Sequence, residues 1–271
     1  MKEEAIRKSV REGYARIAKE KGSCCGPSVS SSCDASKKIG YSEEELQSVP
    51  MGANMGLGCG NPLALASLRK GETVLDLGSG GGLDCFLAAN KVGRKGRVIG
   101  VDMTPEMIDK ARENARRGRH KNVEFRLGEI ENLPVADNSI DMVISNCVIN
   151  LSPNKGRVFE EAFRVLKPHG KLMISDIALL KKLPEAIRHS VEAYIGCISG
   201  AVLRDEYIKT IRAAGFKEVR TIEETRFPLE HMVNDPTVNA IIKKMKIPAG
   251  KIREIADSVV SVKVSGVKPG K

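Results

Sequence analysis

The sequence predicts an α/β protein: a doubly wound, Rossmann-like sheet with an N-terminal helical and loop extension and a smaller C-terminal α+β region. Three observations carry this. Between Glu72 and Ala178 short apolar runs alternate with segments of helical periodicity, the rhythm of parallel strands joined by helices. The first apolar run, "TVLDL", passes directly into "GSGGG" and then into a helical segment, the strand, glycine turn and helix of a ligand-binding α/β unit. After residue 178 the alternation stops. These breaks divide the chain into 1–50, a helix and a cysteine-rich loop; 51–178, the ligand-binding sheet; and 179–271, the C-terminal region.

Residues 3–20 carry Ile6, Val10, Tyr14 and Ile17 at helical spacing and read as an amphipathic helix. From Lys21 to about Ser36 the chain is rich in Gly and Ser and poor in large apolar groups, the composition of a mobile loop. Ser42 followed by Glu45 is a capping-box pair and predicts a short helix that Pro50 ends. "MGANMGLGCGNP" reads as a loop and "PLALASL" as a helix. Strands are expected at "TVLDLG", "RVIGVD", "NVEFRLGE", "IDMVISN" and "KLMISDIA". Helices are expected at "GLDCFLAANKVG", at "TPEMIDKARENARR" with Pro105 at its first position, and at "GRVFEEAFRVL". Beyond them lie helical "PEAIRHSVEAYIGCISGA" and "LRDEYIKTIRAAG", a strand "KEVRTIEETRF", a helical stretch around "NAIIKKM" and a period-2 strand "DSVVSVKVSGVK".

Composition narrows the function. Lys and Arg total 44 against 34 Asp and Glu, a net +10, but the basic residues interleave with Glu in stretches such as "DKARENARRGRHKNVE" and read as solvated helix faces. With aromatics at 4% and no basic, aromatic-rich strand, nucleic acid is not the expected partner. No apolar run approaches the ~20 residues of a membrane span. "MKEEAIRKSV" lacks the apolar core of a signal peptide, so a cytoplasmic protein with no membrane partner is expected.

The glycine turn is a cofactor signal. Gly78, Gly80 and Gly82 let the backbone turn tightly and approach a ligand, while the following helix offers its N-terminal amides. Asp102 ends the next strand about twenty residues on, where a carboxylate accepts from ribose hydroxyls. A dinucleotide wants Gly-x-Gly-x-x-Gly; the spacing here is Gly-x-Gly-x-Gly, which leaves S-adenosylmethionine as the competing ligand.

Seven cysteines complete the set: Cys24, Cys25, Cys33, Cys59, Cys85, Cys147 and Cys197. An odd count in a reducing compartment argues for free thiols, and burial as small hydrophobes is the ordinary fate of any one of them. Cys147, in "SNCVINLSP", lies where a strand ends, on the side of an open α/β sheet that binds ligands, with the turn at Pro153 after it. Cys59 precedes the first strand and Cys197 follows the last strand of the core; no pair has zinc-finger spacing.

Taken together, "VLDLGSGGG", "VIGVDMTPEMI", "GEIENLPVADNSIDMVIS" and "FRVLKPHGKLMISD", in that order, resemble the class I S-adenosylmethionine-dependent methyltransferases. The resemblance implies that Gly78, Ser79, Gly80 and Gly82 line the cofactor with Asp76 nearby, and that Asp102 holds the ribose. It further implies that Met103 flanks the adenine, Glu129 and Ile130 meet the purine edge, and Asn146 closes the methionine end; Glu129 stands where many relatives carry Asp.

"SNCVINLSP", "YIGCISGA" and "GLGCGNP", with "GSCCGPS" near the N-terminus, resemble more narrowly the arsenite methyltransferases. This implies that Cys59, Cys147 and Cys197 are the catalytic arsenic(III) ligands, that Cys24, Cys25 or Cys33 is an accessory or redox thiol, and that Cys85 belongs to the core or the cofactor wall. The implied substrates are arsenite and methylated arsenicals. Thiolate-bound arsenic(III) is soft and keeps a lone pair at the apex of its pyramid, so it needs aim at the methyl sulfonium, at roughly 3 to 3.5 Å, and no general base. Each transfer oxidises arsenic formally, so further rounds call for a thiol reductant such as thioredoxin or glutathione. Two other classes stay in view: a methyltransferase of another small molecule such as a quinone precursor, and a non-enzymatic thiol-based metalloid-binding protein.

Overall fold

The computed structural model describes residues 3–19, 27–64, 66–183, 185, 194, 197–226 and 255–270. Their centre is one seven-stranded sheet in the order β3-β2-β1-β4-β5-β7-β6. The strands are β1 (Thr73–Leu77), β2 (Arg97–Asp102), β3 (Val123–Leu127), β4 (Ile140–Asn146), β5 (Leu166–Leu179), β6 (Lys217–Arg226) and β7 (Val259–Val267). The first five pair in parallel, and β7 enters antiparallel between β5 and β6. Val74, Leu75, Leu77 and Ile144 are fully buried, which is why the central strands read as unbroken apolar runs rather than alternating ones.

Helices cover both faces. On one side α4 (Leu83–Val92) and α5 (Pro105–Arg117) carry Phe86 and Ile108 into a core with Val74, Val98 and Phe125. On the other, α6 (Lys155–Val165) and α7 (Arg204–Ala213) bring Phe159 edge-on to Tyr207 at 5.5 Å and 89°. From β1 the chain winds outward through β2 and β3, then returns to β4 on the other side. The carboxyl ends of β1 and β4 are therefore the switch point, where a doubly wound sheet leaves a crevice.

The N-terminal part is more ordered than its composition suggests. α1 (Glu3–Lys19) lies along α5, held by an ion pair from Lys19 to Glu106 at 2.9 Å. The predicted glycine- and serine-rich loop is corrected in its second half, where α2 (Pro27–Lys38) is helical. Pro27 suits the first helical position, and tertiary contact outweighs the weak serine propensity: Ser36 is fully buried and donates to Asn54 Oδ1 at 2.8 Å. α3 (Glu43–Gln47) has the expected capping box, with Ser42 and Glu45 exchanging hydrogen bonds at 3.1 Å.

"PLALASL" does not form the predicted helix. Among its described residues there is only a 3-10 turn, Pro62–Ala64, because so short a run cannot sustain helix nucleation and Leu63 is instead drawn wholly into the core. The period-2 pattern of β7 belongs to a strand buried on most of both faces, since it sits inside the sheet. Most of "PEAIRHSVEAYIG", and the stretch around "NAIIKKM", lie outside the described residues, as do Cys24 and Cys25.

Candidate active site

At the switch point β1 runs into the glycine turn. Gly78 and Ser79 donate their amides to Val101 O at 2.8 and 3.0 Å, which ties the turn to β2. Gly80 adopts a left-handed backbone (φ 49°), and a β carbon there would meet nothing within 4 Å. Its amide donates to Asp102 Oδ2 at 3.0 Å while Thr104 N donates to Oδ1 at 2.9 Å, so backbone donors orient both carboxylate oxygens. Burial raises the Asp102 pKa against those donors. Ser79 Oγ is buried and has no hydrogen-bond partner among the described residues.

A cavity of about 280 Å³ opens here. Asp76, Gly78, Ser79, Gly80, Asp102 and Met103 line one end, and Ile130, Asn146, Cys147 and Cys197 also form its wall. Gly82 and Glu129 are not on that wall. Gly82 precedes α4 at φ 96°, where a β carbon would strike Phe86 at 2.7 Å and Phe125 at 2.9 Å, so packing alone already requires glycine there. Glu129 reaches to the Arg7 guanidinium at 3.6 Å, leaving Ile130 and Glu131 to face the cavity. Cys85 is core: fully buried, its thiol donates to Asp76 Oδ2 at 3.2 Å. Asp76 is raised well above the usual carboxylate range, first by burial and then by the Asp84 charge.

The three cysteines named from the sequence converge. β4 ends at Asn146, and the chain turns at Cys147 itself (φ 58°) rather than at Pro153; Cys147 N donates to Ser175 O at 2.8 Å. Cys197 is likewise left-handed (φ 63°), and its thiol donates to the Cys147 carbonyl at 3.0 Å. Non-glycine residues in this region cost about 1 kcal/mol or more and cluster at functional sites. Cys59 Sγ, Cys147 Sγ and a carboxylate oxygen of Asp176 lie within 4.8 Å of one another. Hydrogen bonding among the thiols, with Cys197 and then Cys59, raises the Cys147 pKa well above the ordinary thiol value, and burial raises that of Cys59. At neutral pH both are therefore protonated.

Several functional neighbours escaped the sequence reading. Asp176, fully buried, accepts from Asn150 Nδ2 at 2.8 Å and Tyr207 Oη at 2.9 Å, and burial pushes its pKa up to about 6. Val10, Tyr14 and Ile17 of the apolar α1 stripe face the cavity, joined on its wall by Arg7. Burial, then the Cys197 and Cys147 charges, drive the Tyr14 hydroxyl well above its usual pKa. Asn146 joins three segments: Nδ2 donates to Tyr41 Oη at 2.9 Å, Gly60 O at 2.8 Å and Asp84 Oδ2 at 3.1 Å, and Oδ1 accepts from Cys59 N at 3.1 Å. Of these, Asn146 was already named from the sequence as closing the methionine end; Asp176 and the cavity-facing position of Arg7 and Tyr14 were not. Cys33 is half-buried on α2 and stands off the cavity wall, with Asn54 Nδ2 3.9 Å from its sulfur.

The methyltransferase-domain family matches residues 68–224. An arsenite methyltransferase of Halobacterium salinarum is 49% identical over 228 residues, 80% of this chain and 58% of its own length. One from Aquipseudomonas alcaligenes is 37% identical over 227 residues, 81% of this chain and 64% of its own. CrArsM, an arsenic(III) S-adenosylmethionine methyltransferase from Chlamydomonas reinhardtii, has a crystal structure that is 32% identical and matches with a TM-score of 0.62, covering 87% of this chain and 73% of that one. The chain thus spans about six-tenths of the length of the curated relatives it matches.

Proposed function

Because the chain belongs to the methyltransferase-domain family, among the arsenite methyltransferases, we propose that it transfers methyl groups from S-adenosylmethionine to thiolate-bound arsenic(III), with arsenite and its methylated products as substrates. One observation carries the reading: Cys147 and Cys197 line the same cavity as the glycine turn and Asp102, so a thiol-held acceptor and a methyl donor share one enclosure. Apolar Val10, Leu151 and Ile177 share that wall with the thiols, so it is the thiols themselves that favour an arsenic acceptor over a quinone-type one.

The residues fit the cofactor. Gly80 leaves open space where a side chain would stand, Ser79 Oγ has no partner among the described residues, and Asp102 presents lone pairs for two hydroxyls. Asp102 would hold the ribose, Met103 and Ile130 the adenine, and Gly78, Ser79 and Gly80 the methionine portion, with Asp76 and Asn146 behind it. Bound there, S-adenosylmethionine supplies an electrophilic methyl group on a sulfonium.

The protein's part is capture and aim. Each thiol that meets arsenite, As(OH)₃, passes its proton to one of the hydroxides, giving one As–S bond and one water with no net proton release. Cys59 and Cys147 thus need no base, and their raised pKa values are no obstacle. The strained backbones of Cys147 and Cys197 fix two of the sulfurs, directing the arsenic lone pair toward the cavity. Transfer leaves arsenic formally pentavalent. Two thiolates then return it to the trivalent state by becoming a disulfide, which thioredoxin or glutathione reduces in a reducing cytoplasm, with Cys24, Cys25 or Cys33 as the accessory thiol.

We assign residues 1–50 to covering the site, 51–178 to the cofactor and 179–271 to completing the arsenic site. No described helix is long and apolar enough to cross a membrane. Chromatography of arsenic species after incubation with arsenite, S-adenosylmethionine and a thiol reductant tests the reading. Methylated arsenic should accumulate with time, and its absence from folded, cofactor-binding protein would refute the activity.

A further inference from the structure

Cys59 is held differently from the other two thiols. It lies in a loop with no strand or helix of its own, yet its peptide groups are gripped on both sides by side chains of the sheet. Asn146 Oδ1, at the end of β4, accepts from Cys59 N at 3.1 Å. Ser261 Oγ, on β7, donates to Cys59 O at 2.7 Å. The flanking glycines let the loop come this close: a β carbon on Gly58 would lie 2.9 Å from the Asn146 side chain, and one on Gly60 would lie 2.0 Å from Ser175 Oγ.

Ser261 is fixed by register. β7 is flanked by β5 and β6, where Ser261 pairs with Ile177 and with Thr225. Val260, Val262 and Val264 point into the main core. On the other face Lys263 Cε lies 3.4 Å from the position of a Gly60 β carbon, which places the Ser261 side of the strand under the Cys59 loop. A central strand with both neighbours paired is a rigid platform, the support that a precise ligand set needs.

We infer that Ser261 is a positioning residue that sets Cys59 as the third arsenic ligand and thereby favours inorganic arsenite over methylated arsenic(III); the inference rests on the three-thiolate capture proposed above. Arsenite offers three exchangeable hydroxides and uses all three thiols. Trivalent methylarsenic offers two, which Cys147 and Cys197 satisfy. A device that positions only Cys59 acts on the first substrate and spares the second. The nearby Asp176 carboxylate gives no such selectivity, because it sits beside Cys147 as well.

The test compares Ser261→Thr, which keeps a hydroxyl, with Ser261→Val, its isostere without one, and with Ser261→Ala. In Ser261→Val and Ser261→Ala, kcat/KM on arsenite should fall about tenfold, the equivalent of one lost hydrogen bond, while that on trivalent methylarsenic stays within about threefold of wild type. Ser261→Thr should remain within about threefold on both substrates. Arsenic X-ray absorption should find three sulfur neighbours in the wild-type arsenite complex, and two sulfurs with one oxygen in Ser261→Val. Equal losses on both substrates, unchanged arsenite kinetics in folded Ser261→Val, or failure of Ser261→Thr to match wild type would overturn the assignment. A wild-type protein inactive on both arsenicals would defeat the proposed activity itself, and this inference with it.

Discussion

The thiol of Cys197 donates to the backbone carbonyl of Cys147 at 3.0 Å, joining residues 50 positions apart. Each holds a left-handed backbone that a β-carbon-bearing residue adopts at a cost. The contact lets the end of β4 and the segment after β5 fix one another, so the two sulfurs are set before any ligand arrives.

The carboxylate of Asp102 is the clearest of the proposed cofactor contacts to probe, since amides of Gly80 and Thr104 already aim it. Asp102→Ala should weaken S-adenosylmethionine binding by about tenfold or more, because charge-assisted hydrogen bonds to both ribose hydroxyls are lost. Isothermal calorimetry reads this directly, and an unchanged affinity would remove Asp102 from the site.

Gly80 and Gly82 should separate binding from folding. A β carbon at Gly80 enters open space and meets no neighbour, so Gly80→Ala should lose only the roughly 1 kcal/mol that its left-handed backbone (φ 49°) imposes, stay folded, and lose cofactor affinity. At Gly82 the added carbon meets Phe86 and Phe125 below 3.0 Å on a φ of 96°, so Gly82→Ala should lose roughly 1–3 kcal/mol of stability. Thermal melts with and without cofactor distinguish the two; identical behaviour would show that the turn acts as one unit.

Asp84 predicts a pH signature. Burial raises its pKa from 3.8 to about 6 despite hydrogen bonds from Tyr41 and Asn146. With the folded value above the unfolded one, its contribution to stability is complete below about 3.8 and fades as pH rises through about 6. Ionised Asp84 thus costs the fold up to about 3 kcal/mol near neutrality. Asp84→Asn, which keeps the shape and lets the Tyr41 hydroxyl accept instead, should gain stability relative to wild type between pH 5 and 7.5. Parallel urea-midpoint curves for the two proteins would rule this out.

How far these sites were legible in the sequence follows from the range of the interactions involved. The parallel strands and the glycine turn were legible because a strand buried on both faces must be apolar throughout, and a tight turn after it must use glycine. Cys147 was placed by its position at the end of such a strand. Ser261 and Tyr14 were not legible: one depends on β7 inserting between β5 and β6, the other on α1 folding across the cavity, and neither is encoded within a local window. The helix α2 was missed because buried Ser36 and its bond to Asn54, rather than propensity, support it. Glu129 pairs with Arg7 while its neighbour Ile130 takes the cavity wall, an arrangement that depends on α1 and that the local sequence does not show.

The cysteines should divide by role. Cys147 and Cys197 are locked together at the cavity wall, so Cys147→Ser and Cys197→Ser should each abolish methylation of arsenite and of trivalent methylarsenic, because two thiolates are the least that either acceptor requires. Cys59→Ser should impair arsenite alone. Replacing Cys24, Cys25 and Cys33 together should also fall more heavily on arsenite, if an N-terminal thiol takes part in its capture or in returning electrons to arsenic. The capture step carries its own check, since protonated thiols passing their protons to arsenic hydroxides leave the proton balance at zero. Calorimetry of arsenite binding in buffers of different ionisation enthalpy should then give the same heat at pH 7. Heats that scale with buffer enthalpy would mean that thiolates, not thiols, meet the arsenic, and full activity in a folded Cys147→Ser variant would overturn the thiolate mechanism itself.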